Sequence, residues 1–215
     1  MIRRPLVIAV YEPRWFIRVI DILRNRRINY TVYDRPENLP YYSVLYTDYE
    51  EFVREASIRE DIKIIYDPND SLRGLEESIL ATMFKTEYRE VSIGIDPGNK
   101  PYIVVIGDGE ILYHGYVSLD KVSDQILMYL SSIPAHRRIV RVGAGYNGLE
   151  IATKLRRKIN INIEIVDEYE TTPRSNRSSQ TSSLNKKLLE ILKPYRNKDA
   201  YAALRIALRK GIRVD

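Results

Sequence analysis

Val91-Ser92-Ile93-Gly94-Ile95-Asp96-Pro97-Gly98 is a β-forming run that stops on an acid and then a turn. Tyr102–Ile106 reads as a second strand. Gly107-Asp108-Gly109 reads as a hairpin turn into a third, Glu110–Ser118. An amphipathic helix over Leu119–Ile133 comes next, then a strand at Arg138–Val142 and a helix at Leu149–Lys158. Ile161–Val166 alternates cleanly and predicts a strand. Pro173–Ser183 is rich in Ser and Arg without periodicity and predicts a loop. Leu184–Leu192 and Asp199–Arg209 carry helical periodicity. The order βββαβαβαα predicts three antiparallel strands, with two more added through helical crossovers into a mixed five-stranded sheet.

Towards the N-terminus the pattern changes. Leu6–Tyr11, Tyr30–Tyr33, Ser43–Tyr46 and Ile62–Tyr66 read as strands. Arg14–Arg27 entered through Pro13, Tyr49–Ala56 opened by Asp48 as N-cap, and Ser71–Phe84 read as helices. This is a small, mainly parallel α/β unit. Lys85-Thr86-Glu87-Tyr88-Arg89-Glu90 is polar and reads as a linker. The expected division is therefore residues 1–84, of unassigned role, and residues 91–215. The first part carries no glycine-rich phosphate-binding motif. Its acids Glu12, Asp34, Asp48 and Asp67 follow strands. They read as helix caps and turn formers rather than a phosphoacceptor pocket. Its many tyrosines read as strand residues with buried rings and wet hydroxyls.

Composition removes several kinds of chemistry. With no cysteine, disulfides, thiolate nucleophiles and zinc–thiolate sites are excluded. His114 and His136 are the only histidines, too few for a histidine-rich metal centre. No apolar run approaches the roughly 20 residues that cross a bilayer, and the N-terminus lacks the pattern of a signal peptide. A cytoplasmic protein with no membrane partner is expected. The net charge of +5 is uneven: residues 1–90 carry −2 and residues 91–215 carry +7. Residues 174–213 hold 11 basic side chains against Glu190 and Asp199, a distribution suited to a polyanion.

Chemistry must then come from carboxylates, hydroxyls, lysine or backbone. Asp96 ends a strand, and Pro97-Gly98 turns the chain away from it. Glu168 ends the last strand of the second part, and Asp167 points to the opposite face by alternation. Asp199 lies in the first turn of a helix, where its charge favours the dipole, and Ala200, Ala202 and Ala203 allow that helix to pack closely. Each acid has an ordinary structural explanation. Together they predict one hard-oxygen site that would suit magnesium or manganese.

Four motifs share this arrangement: Gly94-Ile95-Asp96-Pro97-Gly98, Val142-Gly143-Ala144-Gly145-Tyr146-Asn147-Gly148, Val166-Asp167-Glu168-Tyr169-Glu170-Thr171-Thr172 and Asn197-Lys198-Asp199-Ala200-Tyr201-Ala202-Ala203. Over about residues 91–212 the chain resembles the RuvC and YqgF families of Holliday-junction resolvase-like nucleases, which have a ribonuclease H-like fold. Asp-Pro-Gly is closer to RuvC; the other three motifs are closer to YqgF. The resemblance implies a two-metal endonuclease with Asp96, Glu168 and Asp199 as catalytic residues and as ligands of Mg2+ or Mn2+. It departs from RuvC in lacking a fourth ligand: Arg196, Ala202 and Ala203 stand one helical turn from Asp199. It departs from YqgF in having Asn99-Lys100 and Tyr169 where that group has arginines. Arg174, Arg177, Lys186, Lys187 and Lys198 are the expected phosphate contacts. Branched DNA is the expected partner and structured RNA the alternative, with a homodimer as a possible assembly. The competing reading is a ribonuclease H-like module that binds nucleic acid without cleaving it.

Overall fold

The computed structural model describes residues 3–167 and 198–214. Among the described residues the fold is mixed α/β with two sheets, one of four strands and one of six. Two compact units contain them: Met1–Tyr88 with Ser131–Pro134, and Arg89–Leu130 with Ala135–Asp215.

In the first unit, β1 (Leu6–Ala9), β2 (Thr31–Val32), β3 (Val44–Thr47) and β4 (Lys63–Tyr66) pair in parallel in the order β2-β1-β3-β4. Strands β1 and β3 are buried along their whole length and read as continuous apolar runs, as parallel strands covered on both faces must. Helices α1 (Pro13–Asn25) and α3 (Leu72–Thr82) cover one face, where Trp15, Val19, Leu23, Leu75 and Ile79 pack on Leu6, Ile8, Val44 and Tyr46. Helix α2 (Glu50–Ala56) packs on the other face through Ala56 and Phe52.

The second unit holds β5 (Tyr88–Asp96), β6 (Tyr102–Gly107), β7 (Glu110–Tyr116), β8 (Ala135–Gly143), β9 (Asn162–Val166) and β10 (Ile212–Arg213), in the order β10-β9-β8-β5-β6-β7. Strands β5, β6 and β7 are antiparallel, β8 and β9 parallel, as the element order requires. Helix α4 (Val122–Ser132) precedes β8, and α5 (Gly148–Lys158) makes the crossover from β8 to β9. The last helix, α6 (Lys198–Leu208), lies on the sheet.

Three expectations are corrected. The sheet has six strands, because Ile212–Arg213 returns antiparallel beside β9. A two-residue edge strand is too short to show alternation in sequence. Gly211 makes the return possible: a Cβ there would fall on the Ile165 carbonyl oxygen. The stretch 85–90 is strand from Tyr88 onward, where Tyr88 is buried and donates its hydroxyl to Glu76 Oε2 at 3.0 Å. Arg26, in an ion pair with Glu76, also donates to that hydroxyl at 3.0 Å. Finally, Tyr49, not Asp48, is the N-cap of α2. The expected helix Leu184–Leu192 and the loop 173–183 lie outside the described residues.

Candidate active site

Register places the first acid. Asp96 is opposite Tyr102 on β6, and Tyr102 is opposite Tyr116 on β7. Directly opposed residues share a face, so all three side chains project from one side of the sheet. A bulge is responsible for Tyr116. The β6–β7 hairpin turns at Asp108-Gly109, both with positive φ (+48° and +86°), and starts with Gly107 opposite Glu110. Continued unbroken, that register would put Gly115 opposite Tyr102. The shift between Ile106 and Val105 adds one residue, Leu112, and brings Tyr116 onto the face of Asp96.

Helix α6 brings the second acid. Its Ala200, Ala203, Leu204 and Ala207 pack on Tyr102, Val104, Ile106 and Ile111 of the same face, while Ala202 is only half-buried. Approach is closest at Gly94, where a Cβ would fall on the Ala203 carbonyl oxygen and the Ala207 nitrogen. Ser92 Oγ donates to the Ala207 carbonyl at 2.6 Å. The helix therefore runs antiparallel to β5, with Ala207 beside Ser92 and Ala203 beside Gly94. From Gly94, Asp96 is two strand residues onward, about 6.6 Å. From Ala203, Asp199 is four helical residues back, about 6 Å. Both half-buried acids thus come to the same end of the same face. There Tyr116 Oη donates to Asp199 Oδ2 at 2.8 Å.

The far end of α6 is anchored by a buried cation. Arg141 Nη1 donates to the Ala207 carbonyl at 2.6 Å and to Ser92 Oγ at 2.9 Å. Its Nε pairs with Glu164 Oε2 at 2.8 Å. A cation at a helix C-terminus is also favoured by the dipole. Burial raises the Glu164 carboxyl. Its bonds from Arg141 and from the Gly211 N–H outweigh that and leave it below the ordinary glutamate range.

Two loops border the acids. Pro97 is buried directly after Asp96. Gly148 at the start of α5 has room for no side chain: a Cβ would fall on the Gly143 carbonyl oxygen and lie 3.6 Å from Pro97 Cγ. Asn147 Nδ2 reaches the Gly98 carbonyl at 3.5 Å. Between these contacts Tyr146 is 95% exposed.

The remaining expected residues divide as follows. Lys198 is exposed and opens α6, and Asp167 is exposed just beyond β9. Glu168, Arg174, Arg177, Lys186 and Lys187 lie outside the described residues. Among the described residues no group of three His, Asp or Glu side chains forms a metal-binding cluster. Sequence reasoning missed Tyr116 and Lys100, whose Nζ sits 5.0 Å from the centroid of the Tyr116 ring. It also missed the Tyr102 hydroxyl, which shares a 2.8 Å hydrogen bond with His114 Nδ1. Burial lowers the imidazole pKa, favouring its neutral form. The hairpin turn was visible in sequence, but the bulge that aligns Tyr116 has no sequence signature here.

The strand-end acids of the first unit are bonded to nearby backbone N–H groups and side chains. Asp48 accepts from the Tyr11 and Glu12 N–H groups at 2.7 and 2.9 Å. Glu12 caps α1 through Arg14 N, and Asp34 accepts from Asn38 Nδ2 at 2.8 Å. Buried Asp67 accepts from Tyr46 Oη at 2.9 Å and from Ser71 N at 2.8 Å. Tyr46 Oη in turn accepts from Trp15 Nε1 at 2.8 Å.

No protein-family model matches the chain, and no curated protein matches it. Among solved structures it is similar to Marinitoga piezophila Argonaute in complex with a 5′-OH guide RNA. The identity is 11%, over 96% of this chain and 52% of that one, with a TM-score of 0.31. It is also similar to A. aeolicus Argonaute, at 11% identity over 77% of this chain and 34% of that one, with a TM-score of 0.23. The chain spans about half the length of the first structure and about a third of the second.

Proposed function

We propose that the protein is a divalent-metal-dependent endonuclease of the RuvC or YqgF type that hydrolyses phosphodiester bonds in branched DNA. The observation that supports this reading is the placement of Asp96 and Asp199 toward one end of one sheet face, which follows from the β5–β6 register and the line of α6. The Asp96 and Asp199 donors are all oxygen, half-buried and at one end of the sheet, which fits Mg2+ or Mn2+ and does not fit zinc. Asp96, Asp199 and Glu168 would hold the metal; Glu168 is the next acid in sequence after Asp167. Bound there, the metal would supply Lewis acidity toward a water and a phosphodiester oxygen.

The chain's own groups do the positioning. Tyr116 fixes one oxygen of Asp199. Arg141 and Gly94 fix the line of α6 and so the position of its first turn. Lys198 and the tract containing Arg174, Arg177, Lys186 and Lys187 would hold phosphates on either side of the scissile bond. Phosphate contacts read no sequence, which suits a substrate recognised by its branching.

The test is cleavage of a four-way junction, a duplex, a single strand and a folded RNA by the full chain, with magnesium, manganese, zinc or a chelator. Cleavage of the junction that needs magnesium or manganese and is lost in Asp96→Asn is expected. Preference for the folded RNA would move the substrate to RNA and keep the mechanism. Cleavage indifferent to chelator, or unchanged in Asp96→Asn, would overturn it.

A further inference from the structure

We infer that Tyr116 is a positioning residue that confines Asp199 to one-oxygen coordination of its cation, and so makes the site favour a small octahedral ion, Mg2+ or Mn2+, over Ca2+. The inference rests on the metal-site reading of Asp96 and Asp199 and names the residue that sets its ion preference.

The starting point is a hydrogen bond that burial does not require. Tyr116 is 44% exposed, so water could satisfy its hydroxyl. Its Oη instead donates to Asp199 Oδ2 at 2.8 Å, across 83 positions of sequence. One bulge in β7 puts it there. Without the extra residue, Gly115 would stand opposite Tyr102 and offer no donor.

The phenol is held by its neighbours. Its ring meets Tyr102 edge to face, with centroids 4.8 Å apart and planes at 82°. Tyr102 is buried in the cluster with Ala200, Ala203 and Leu204, and its hydroxyl shares the 2.8 Å bond with His114 Nδ1. Lys100 Nζ lies 5.0 Å from the Tyr116 centroid. Asp199 stands in the first turn of α6, whose line is set by the close approach at Gly94 and by the Arg141 bond to Ala207. Donor and acceptor thus sit on a strand and a helix, and the bond fixes the rotation of the carboxylate as well as its place.

The ion preference follows from what the bond does to Asp199. The donated proton takes up a lone pair of Oδ2 and draws charge from it, which disfavours chelation of one ion by both oxygens. Ca2+ takes about six to eight oxygens and gains from carboxylates that offer two. Mg2+ holds an octahedral shell, keeps several waters and is served by one oxygen per carboxylate. Mn2+ shares the octahedral oxygen preference. Arg196, Ala202 and Ala203, one helical turn from Asp199 in sequence, add no carboxylate that would make up the difference for Ca2+.

Competition of Mg2+ and of Ca2+ against Mn2+ bound to the full chain, followed by the Mn2+ electron paramagnetic resonance signal without nucleic acid, tests this. The wild type is expected to favour Mg2+ over Ca2+. Tyr116→Phe keeps the ring and removes only the hydroxyl; it is expected to move the Mg2+ to Ca2+ affinity ratio toward Ca2+ by about tenfold. Lys100→Met removes a nearby charge and keeps the hydroxyl; it is expected to change both affinities alike and leave the ratio as it was. A wild type that prefers Ca2+, an unchanged ratio in Tyr116→Phe, or an equal shift in Lys100→Met would overturn the inference and leave the metal-site reading standing. A wild-type chain that binds no divalent cation would overturn both.

Discussion

Both units end their strands on acids, yet the acids do different things. In the first unit, Asp48 and Asp67 lie against backbone N–H groups and a buried tyrosine hydroxyl, closing the ends of α1 and α3. The positions where a parallel sheet would seat an anion are filled by the chain's own carboxylates. In the second unit, β5 delivers Asp96 to the sheet end, and α6 delivers Asp199 to the same end from a distant part of the sequence. The lesson is that a strand-end acid gains functional weight when a second element is held down with force to meet it. Here that holding is done by Arg141 and Gly94.

The largest effect is expected at Arg141. Arg141→Ala would leave half-buried Glu164 without its cation and remove one of the two donors to the Ala207 carbonyl. A loss of about 3–5 kcal/mol is expected, measured by denaturant unfolding. A loss under about 1 kcal/mol would mean that α6 is held by its alanine face alone. In the first unit the corresponding point is Tyr46. Tyr46→Phe orphans Trp15 Nε1 and removes a donor from Asp67, for an expected loss of about 1–3 kcal/mol.

A smaller effect separates the units by pH. Glu164 has a lowered pKa. Its contribution is complete above the ordinary glutamate value, about 4.3, and is lost as pH falls through its lower native value. Asp70 is the opposite case: burial, then the charge of Asp48 and a hydrogen bond to it, raise its pKa. Its protonated native form helps most at low pH, and that help is lost as pH rises through the raised value. Asp70 also has φ +51°, which asparagine tolerates, and its Oδ1 is buried without a hydrogen-bond partner. Asp70→Asn should therefore raise the melting temperature at pH 7 with little effect at pH 3. Glu164→Gln should flatten the acid limb. Identical pH profiles for wild type and both variants would contradict these assignments.

How much was legible in the sequence follows from range. The hairpin, the crossovers and the parallel first unit were written in local periodicity and turns, and the structure follows them. Asp96 was legible because Pro97-Gly98 marks the strand end, and Asp199 because a helix start favours an acid. What was not legible depends on contacts made at a distance. The Leu112 bulge decides the face of Tyr116 by one residue, and β10 exists only where Gly211 can approach Ile165. Asp48 had the right residue type for an N-cap, but its carboxylate turns to Tyr11 and Glu12, 36 and more positions earlier.

The acids of the two units are expected to differ in kind, and one paired measurement tests the difference. Mn2+ binding by calorimetry and thermal unfolding are recorded for Asp67→Asn and Asp96→Asn in the full chain. Asp67→Asn is expected to lower the melting temperature and to bind Mn2+ as the wild type does. Asp96→Asn is expected to keep or raise the melting temperature and to lose Mn2+ binding. Wild-type Mn2+ affinity in Asp96→Asn, or its loss in Asp67→Asn alone, would contradict it.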